Sequence, residues 1–157
     1  MTAVQRGLLL LLLHLGLALA VLGRFSYDRA ALPRVWARTV PWDPSDPFRG
    51  RYVRLWLDAD DQRSAADSLA TVEFAVVGER LVVRPAHGWS GLRVREPAPP
   101  GARGVVVWEP VAFFIAEHAP DPSVLAAGQT LWVEVTVPPR GLPRPIRLEV
   151  RTDADQP

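Results

Sequence analysis

Residues 130–137 read TLWVEVTV, and at a period of two Leu131, Val133, Val135 and Val137 fall on one side. That alternation predicts a half-buried β-strand. The same pattern recurs nearby, where Ile146, Leu148 and Val150 alternate with Arg147, Glu149 and Arg151. Val72, Phe74 and Val76 form the inward set of a third strand. Gly78-Glu79 then separates TVEFAVV from RLVVRP, and glycine in the first place of a two-residue loop predicts a type II′ hairpin. The runs VVVW at 105–108 and AFFIA at 112–116 are apolar throughout, which predicts strands covered on both faces.

Between these runs the chain is punctuated by RPAHGWSG at 84–91, EPAPPGARG at 96–104 and PPRGLPRP at 138–145, all turn-rich. Residues 59–68, ADDQRSAADS, read as a polar loop without a core face. Beyond the N-terminal segment, PDPSVLAA at 120–127 is the stretch suited to a short helix. About eight or nine short strands with one short helix make a mainly β chain, an antiparallel β-barrel or sandwich.

Composition narrows the chemistry. The chain has 157 residues, enough for one domain with a core and an appendage. All 18 basic residues are arginine, so lysine Schiff bases, Ser–Lys dyads and P-loop lysines are excluded. Cysteine is absent, which excludes disulfides, thiol nucleophiles and thiolate-bound metals. A net charge of +1 gives no global attraction to nucleic acid, and none is expected as a partner.

The N-terminal run GLLLLLLHLGLALAVLG, residues 7–23, contains His14 as its one polar side chain. As a helix it spans ~26 Å, slightly less than a ~30 Å hydrocarbon core. It lacks the polar face of a surface helix. Two readings fit, an uncleaved single-pass anchor in the lipid bilayer, which is preferred, and a secretory signal cleaved near Ala18-Leu19-Ala20. Arg24, Arg29, Arg34 and Arg38 follow the run and Arg6 precedes it, which counted literally keeps the domain in the cytoplasm. A leading apolar segment behind a short basic tail instead marks export, and later arginines belong to the folded domain. The expectation is an inner-membrane protein with its domain outside the cytoplasm. The chain divides into a basic tail at 1–6, the apolar segment at 7–23, a linker at 24–33, a β domain at 34–151 and a disordered tail at 152–157.

Strand geometry applied to RYVRLWLD, residues 51–58, sets Val53, Leu55 and Leu57 on one face and Tyr52, Arg54, Trp56 and Asp58 on the other. Gly50 lets the backbone turn into this strand. RVWARTV at 34–40 is a suitable neighbour, with Trp36 and Arg38 on its polar face. Such a face can be structural, an aromatic–arginine ladder held by cross-strand and cation–π contacts. It can also be a groove for an anionic or extended ligand.

The apolar leader, PRVWARTVPWDPSDPFRGRYVRLWLD at 33–58 and FFIAE at 113–117 together resemble the GDYxxLxY family of small bacterial membrane-anchored proteins. The name-giving motif falls on Gly50, Arg51, Tyr52, Leu55 and Leu57, of which Gly50, Tyr52 and Leu55 match. Arg51 stands where the family has an acid, and Leu57 where it has a tyrosine. Arg38-Thr39, Pro41 and Asp43-Pro44 fit the usual lead-in, and AFFIAEHAP places Glu117 at the downstream acidic position. The likeness covers roughly residues 5–150. It implies an envelope-associated module without an assigned activity, in which Arg51 is a surface contact rather than a proton-transfer group.

Catalytic constellations are sparse. No Gly-rich phosphate loop, HExxH or G-x-S-x-G occurs. Ser90 beside Gly91 has no candidate base at useful spacing other than His87, and His118 with the loop carboxylates Asp43, Asp46, Asp60 and Asp61 is read as solvated. Glu117 and His118 diverge if the strand continues through them, and so make a poor metal clamp. Glu117 is expected to pair with an arginine near Gly50. The binding candidates are therefore Arg51, Tyr52, Arg54, Trp56 and Glu117, with no metal, cofactor or catalytic set expected, and an integral-membrane protein as the partner. The competing expectation is an envelope hydrolase or carbohydrate-binding enzyme that uses Glu117 with Tyr52 and His118.

Overall fold

The computed structural model describes residues 2–42, 52–64, 71–86, 91–96 and 98–152. The chain divides into two compact units, residues 1–32 and 33–157.

The first unit is one helix, α1 (Ala3–Ala31). It extends past the 7–23 run on both sides, so residues 24–31, read from sequence as linker, are helical. Thr2 caps it: the Thr2 hydroxyl accepts from the Gln5 N–H at 3.3 Å, and Gln5 Oε1 accepts from the Thr2 N–H at 2.8 Å. That reciprocal pair satisfies two of the orphan donors at a helix start. None of its residues is buried, and it is long and apolar enough to cross a membrane. His14 Nδ1 lies 2.7 Å from the Leu10 carbonyl one turn back, which satisfies one ring nitrogen inside an apolar helix.

Among the described residues the second unit has eight strands, β1 (Arg34–Trp42), β2 (Tyr52–Asp58), β3 (Asp60–Asp61), β4 (Val72–Val77), β5 (Arg80–Pro85), β6 (Val111–Phe114), β7 (Gln129–Thr136) and β8 (Arg144–Thr152). Five form an antiparallel sheet in the order β6-β2-β1-β7-β8. It curls until its two edges, β6 and β8, approach each other. The remaining three form a small sheet in the order β3-β5-β4, where β3 runs parallel to β5. One core joins the two sheets, with Val35, Leu55, Leu57, Leu131, Val133 and Val135 facing Val72, Phe74, Leu81 and Val83. The inward sets expected for β2, β4 and β7 are all part of this core apart from Val76, which is partly buried against it. Thr39, the polar member of the β1 inward set, donates its hydroxyl to the buried Leu131 carbonyl at 2.8 Å.

The hairpin between β4 and β5 turns at Gly78-Glu79 as expected. Gly78 has φ +61° and Glu79 does not have a positive φ, which fits type II′ and excludes type I′. In β8 the register slips, so that Glu134 faces Arg147 while Val135 faces Pro145, and Ile146 is the extra residue of a bulge. Proline is tolerated there because β8 is an edge strand.

Several expectations are corrected. Residues 120–127 form turns rather than a helix. Residues 105–108 make only single bridges, Val105 to Ala59 and Val107 to Val94. β6 is covered on one face only, because it is an edge: Phe113 packs on the core while Phe114 is 71 % exposed. Ala59, placed by sequence in a coreless loop, is buried and followed directly by β3. Gly50, Arg51, Asp43, Asp46, His87, Ser90 and the tail at 153–157 lie outside the described residues.

Candidate functional site

Pairing of β1 with β2 sets Trp42 opposite Arg54, Val40 opposite Trp56 and Arg38 opposite Asp58, all on the face turned away from the core. Trp42 and Trp56 are diagonal neighbours, and their rings stack at 5.0 Å with an interplanar angle of 14°. The Arg54 guanidinium lies 5.6 Å from the ring centroids of both Trp42 and Tyr52. Tyr52 in turn tilts against Phe114 of β6 at 5.9 Å. Arg95, from the segment before the β6 loop, is held between Trp56 at 4.2 Å and Trp108 at 4.7 Å. A second group continues across β7 and β8, where Arg151 lies over Trp36 and Trp132 at 4.6 and 4.9 Å and Arg147 lies over Trp36 at 5.0 Å. Glu134 and Glu149 hold these two arginines at 3.1 and 3.2 Å. Guanidinium groups laid on indole faces keep their planes fixed and remain able to donate at their edges.

Of the expected binding residues, Tyr52, Arg54 and Trp56 are therefore brought together. Trp56, however, is only 5 % exposed, so it supports the face rather than offering contact itself. The exposed aromatic surface comes from Trp42 at 40 %, Trp108 at 49 % and Phe114 at 71 %. Arg51 lies outside the described residues. Glu117 and His118 do not extend the strand; β6 ends at Phe114 and both residues sit exposed in the following turn. The Tyr52 hydroxyl is buried without a hydrogen-bond partner, so it makes no bond to Glu117 or His118. Among the described residues no three His, Cys, Asp or Glu side chains gather as a metal site.

At the other end of β2 lies a cavity of about 270 Å³, lined by Trp36 and Arg38 of β1, Asp58, Arg80, Arg103 and Trp132, among others. Its wall is built by a long-range clamp. Asp58 accepts from the backbone N–H groups of Arg103 at 2.8 Å and Gly104 at 2.7 Å, while Val105 and Ala59 exchange backbone hydrogen bonds beside it. Gly104 is required at that approach, because a Cβ there would strike the Ala59 carbonyl oxygen. Across the cavity Asp60 pairs with Arg80 at 3.2 Å. Arg38 stands directly between Trp132 and Asp58 in the sheet register. Its Nε and Nη1 are buried without a hydrogen-bond partner. The carboxylate nearest to it in register is the one engaged by the Arg103 and Gly104 amides.

Sequence reasoning found Arg38 and Trp36 as outward-facing residues but missed the cavity. Trp132 was legible as the outward position in TLWVEVTV. The Arg103–Gly104 wall comes from a loop 45 and 46 residues from Asp58, with no periodic signal to announce it.

No family model, curated protein or solved structure matches the chain. Fold and site together define a class: an apolar helix long enough to cross a bilayer, followed in sequence by a two-sheet β domain with an aromatic–arginine outer face.

Proposed function

We propose that this chain is a membrane-anchored binding or assembly module of the bacterial cell envelope, of the GDYxxLxY kind, with its β domain on the extracytoplasmic side of the inner membrane. Its partner on this reading is an integral-membrane protein that presents acidic and apolar side chains to the Tyr52–Arg54 end of the sheet. The observation that carries the reading is the outer face of β1, β2 and β6. There Arg54 lies over Trp42 and Tyr52, and exposed Phe114 and Trp42 surround it. Aromatic and arginine side chains are the types enriched where protein surfaces meet, and arginine held on a ring has less freedom to lose on binding. The apolar helix supports the membrane setting, since it is long and apolar enough to cross a bilayer.

The test is photo-crosslinking from position 114 in intact cells, followed by mild-detergent purification of the full chain. A discrete crosslinked membrane protein is expected, and R54A is expected to reduce its yield several-fold. Recovery of the uncrosslinked chain alone would defeat the proposal.

A further inference from the structure

We infer that the cavity beside Arg38 is a binding site for a small monocarboxylate with an apolar body. The site is separate from the docking face: Asp58 and Tyr52 are the two ends of β2, about 20 Å apart at strand rise. Arginine cannot shed its proton, so Arg38 carries a full positive charge wherever it is placed. Two of its nitrogens, Nε and Nη1, are buried without a hydrogen-bond acceptor, and the residue lines the cavity. A guanidinium so desolvated is costly unless a counter-charge reaches it. Asp58 and Asp60 line the same cavity, but Asp58 is bound to two backbone amides and Asp60 to Arg80. An anion at the Arg38 guanidinium supplies the missing acceptor through a charge-assisted hydrogen bond.

The walls select among anions. The lining sets Asp58, Asp60 and Glu79 against Arg38, Arg80 and Arg103, a balance that accommodates the single charge of a carboxylate more readily than the nearly double charge of a phosphate. Trp36, Trp132 and Leu81 offer apolar surface to the body of the ligand. The volume of about 270 Å³ admits a molecule of benzoate size.

The experiment uses the full chain in detergent and follows tryptophan fluorescence during titration with benzoate, its neutral isostere benzamide, and inorganic phosphate. Saturable benzoate binding is expected, with benzamide and phosphate at least tenfold weaker. R38Q is expected to weaken benzoate at least tenfold while leaving the thermal midpoint of the unliganded protein within a few degrees. Equal binding of benzoate and benzamide would overturn the proposal, and so would phosphate in preference to benzoate. Absence of saturable binding would overturn it too. The isostere comparison is made on the unaltered protein, so it decides the matter even if R38Q does not fold. Crosslinking from position 114 is unaffected by these outcomes, which keeps the two readings separable.

Discussion

Asp58 closes the end of β2 by accepting from the backbone amides of Arg103 and Gly104, at 2.8 and 2.7 Å. Hydrogen bonds to an ionised acceptor contribute more than neutral ones, about 1.5–3 kcal/mol when partly shielded. D58A is therefore expected to lower the unfolding free energy by about 2–3 kcal/mol in urea titration, and to speed hydrogen exchange at the Arg103 and Gly104 amides specifically. A second carboxylate behaves differently. Asp61 takes a bidentate contact from Arg63, Nε to Oδ1 at 3.0 Å and Nη2 to Oδ2 at 2.9 Å, and also accepts from the Arg63 N–H. The side-chain hydrogen bond from Arg63 holds the Asp61 carboxyl below its ordinary range, outweighing the opposing effect of partial burial. A depressed folded-state pKa means that the unfolded chain takes up the proton first. The contribution is thus complete above about pH 4 and is lost as pH falls through the folded-state value. Asp61 is partly exposed, so solvent screening holds the pair to about 1 kcal/mol or less. D61N should flatten the acid limb of the stability profile below about pH 4 and leave neutral stability changed by no more than that amount.

The hairpin of β4 and β5 shows what local sequence can specify. Gly78 occupies φ +61°, a region that costs a residue with a Cβ roughly 1–2 kcal/mol, while no atom lies where a Cβ would go. G78A is expected to lower the unfolding free energy in urea titration by about that conformational cost alone. The hairpin was legible because a two-residue loop between alternating runs carries its geometry in the sequence. β2 and β7 were legible for the same reason: a period of two with one apolar face leaves a single register that buries it. The segment 120–127 was misread because its composition suits a helix while its prolines do not. Pro120 and Pro122 hold the preceding residues out of helical geometry, and Asp121 takes the Ser123 N–H at 2.8 Å and the Ser123 hydroxyl at 2.7 Å. β6 was misread because an apolar run does not reveal whether its strand is central or at an edge, and that is decided by strand order. The outward set Tyr52, Arg54 and Trp56 was visible in the pattern of β2. What was not visible is that Arg95, from a loop, covers Trp56, or that Arg38 lacks an acceptor, because both depend on chain segments far apart in sequence.

Across the whole molecule, the two kinds of apolar surface are segregated by sequence. Among the described residues, every buried core hydrophobic falls between Val35 and Val137, and no residue of α1 is buried. A helix that is apolar all round needs apolar surroundings for its side chains. Lipid is the solvent that fits, and helical hydrogen bonding already satisfies the backbone there, with His14 set against the Leu10 carbonyl. This separation predicts a dissociation of two properties that a core helix would couple. Placing arginine at two positions in the middle of the run, L12R together with L15R, costs about 2.5–3.5 kcal/mol per residue for bilayer insertion. The double variant is expected to leave the membrane fraction and become extractable by alkaline carbonate. The urea unfolding midpoint of the β domain, followed by tryptophan fluorescence from Trp56 and Trp132 on β2 and β7, is expected to stay where it is in the unaltered chain. A large fall in that midpoint would mean that α1 packs as part of the fold, and retention in the carbonate pellet would mean that another surface of the chain holds it to the membrane.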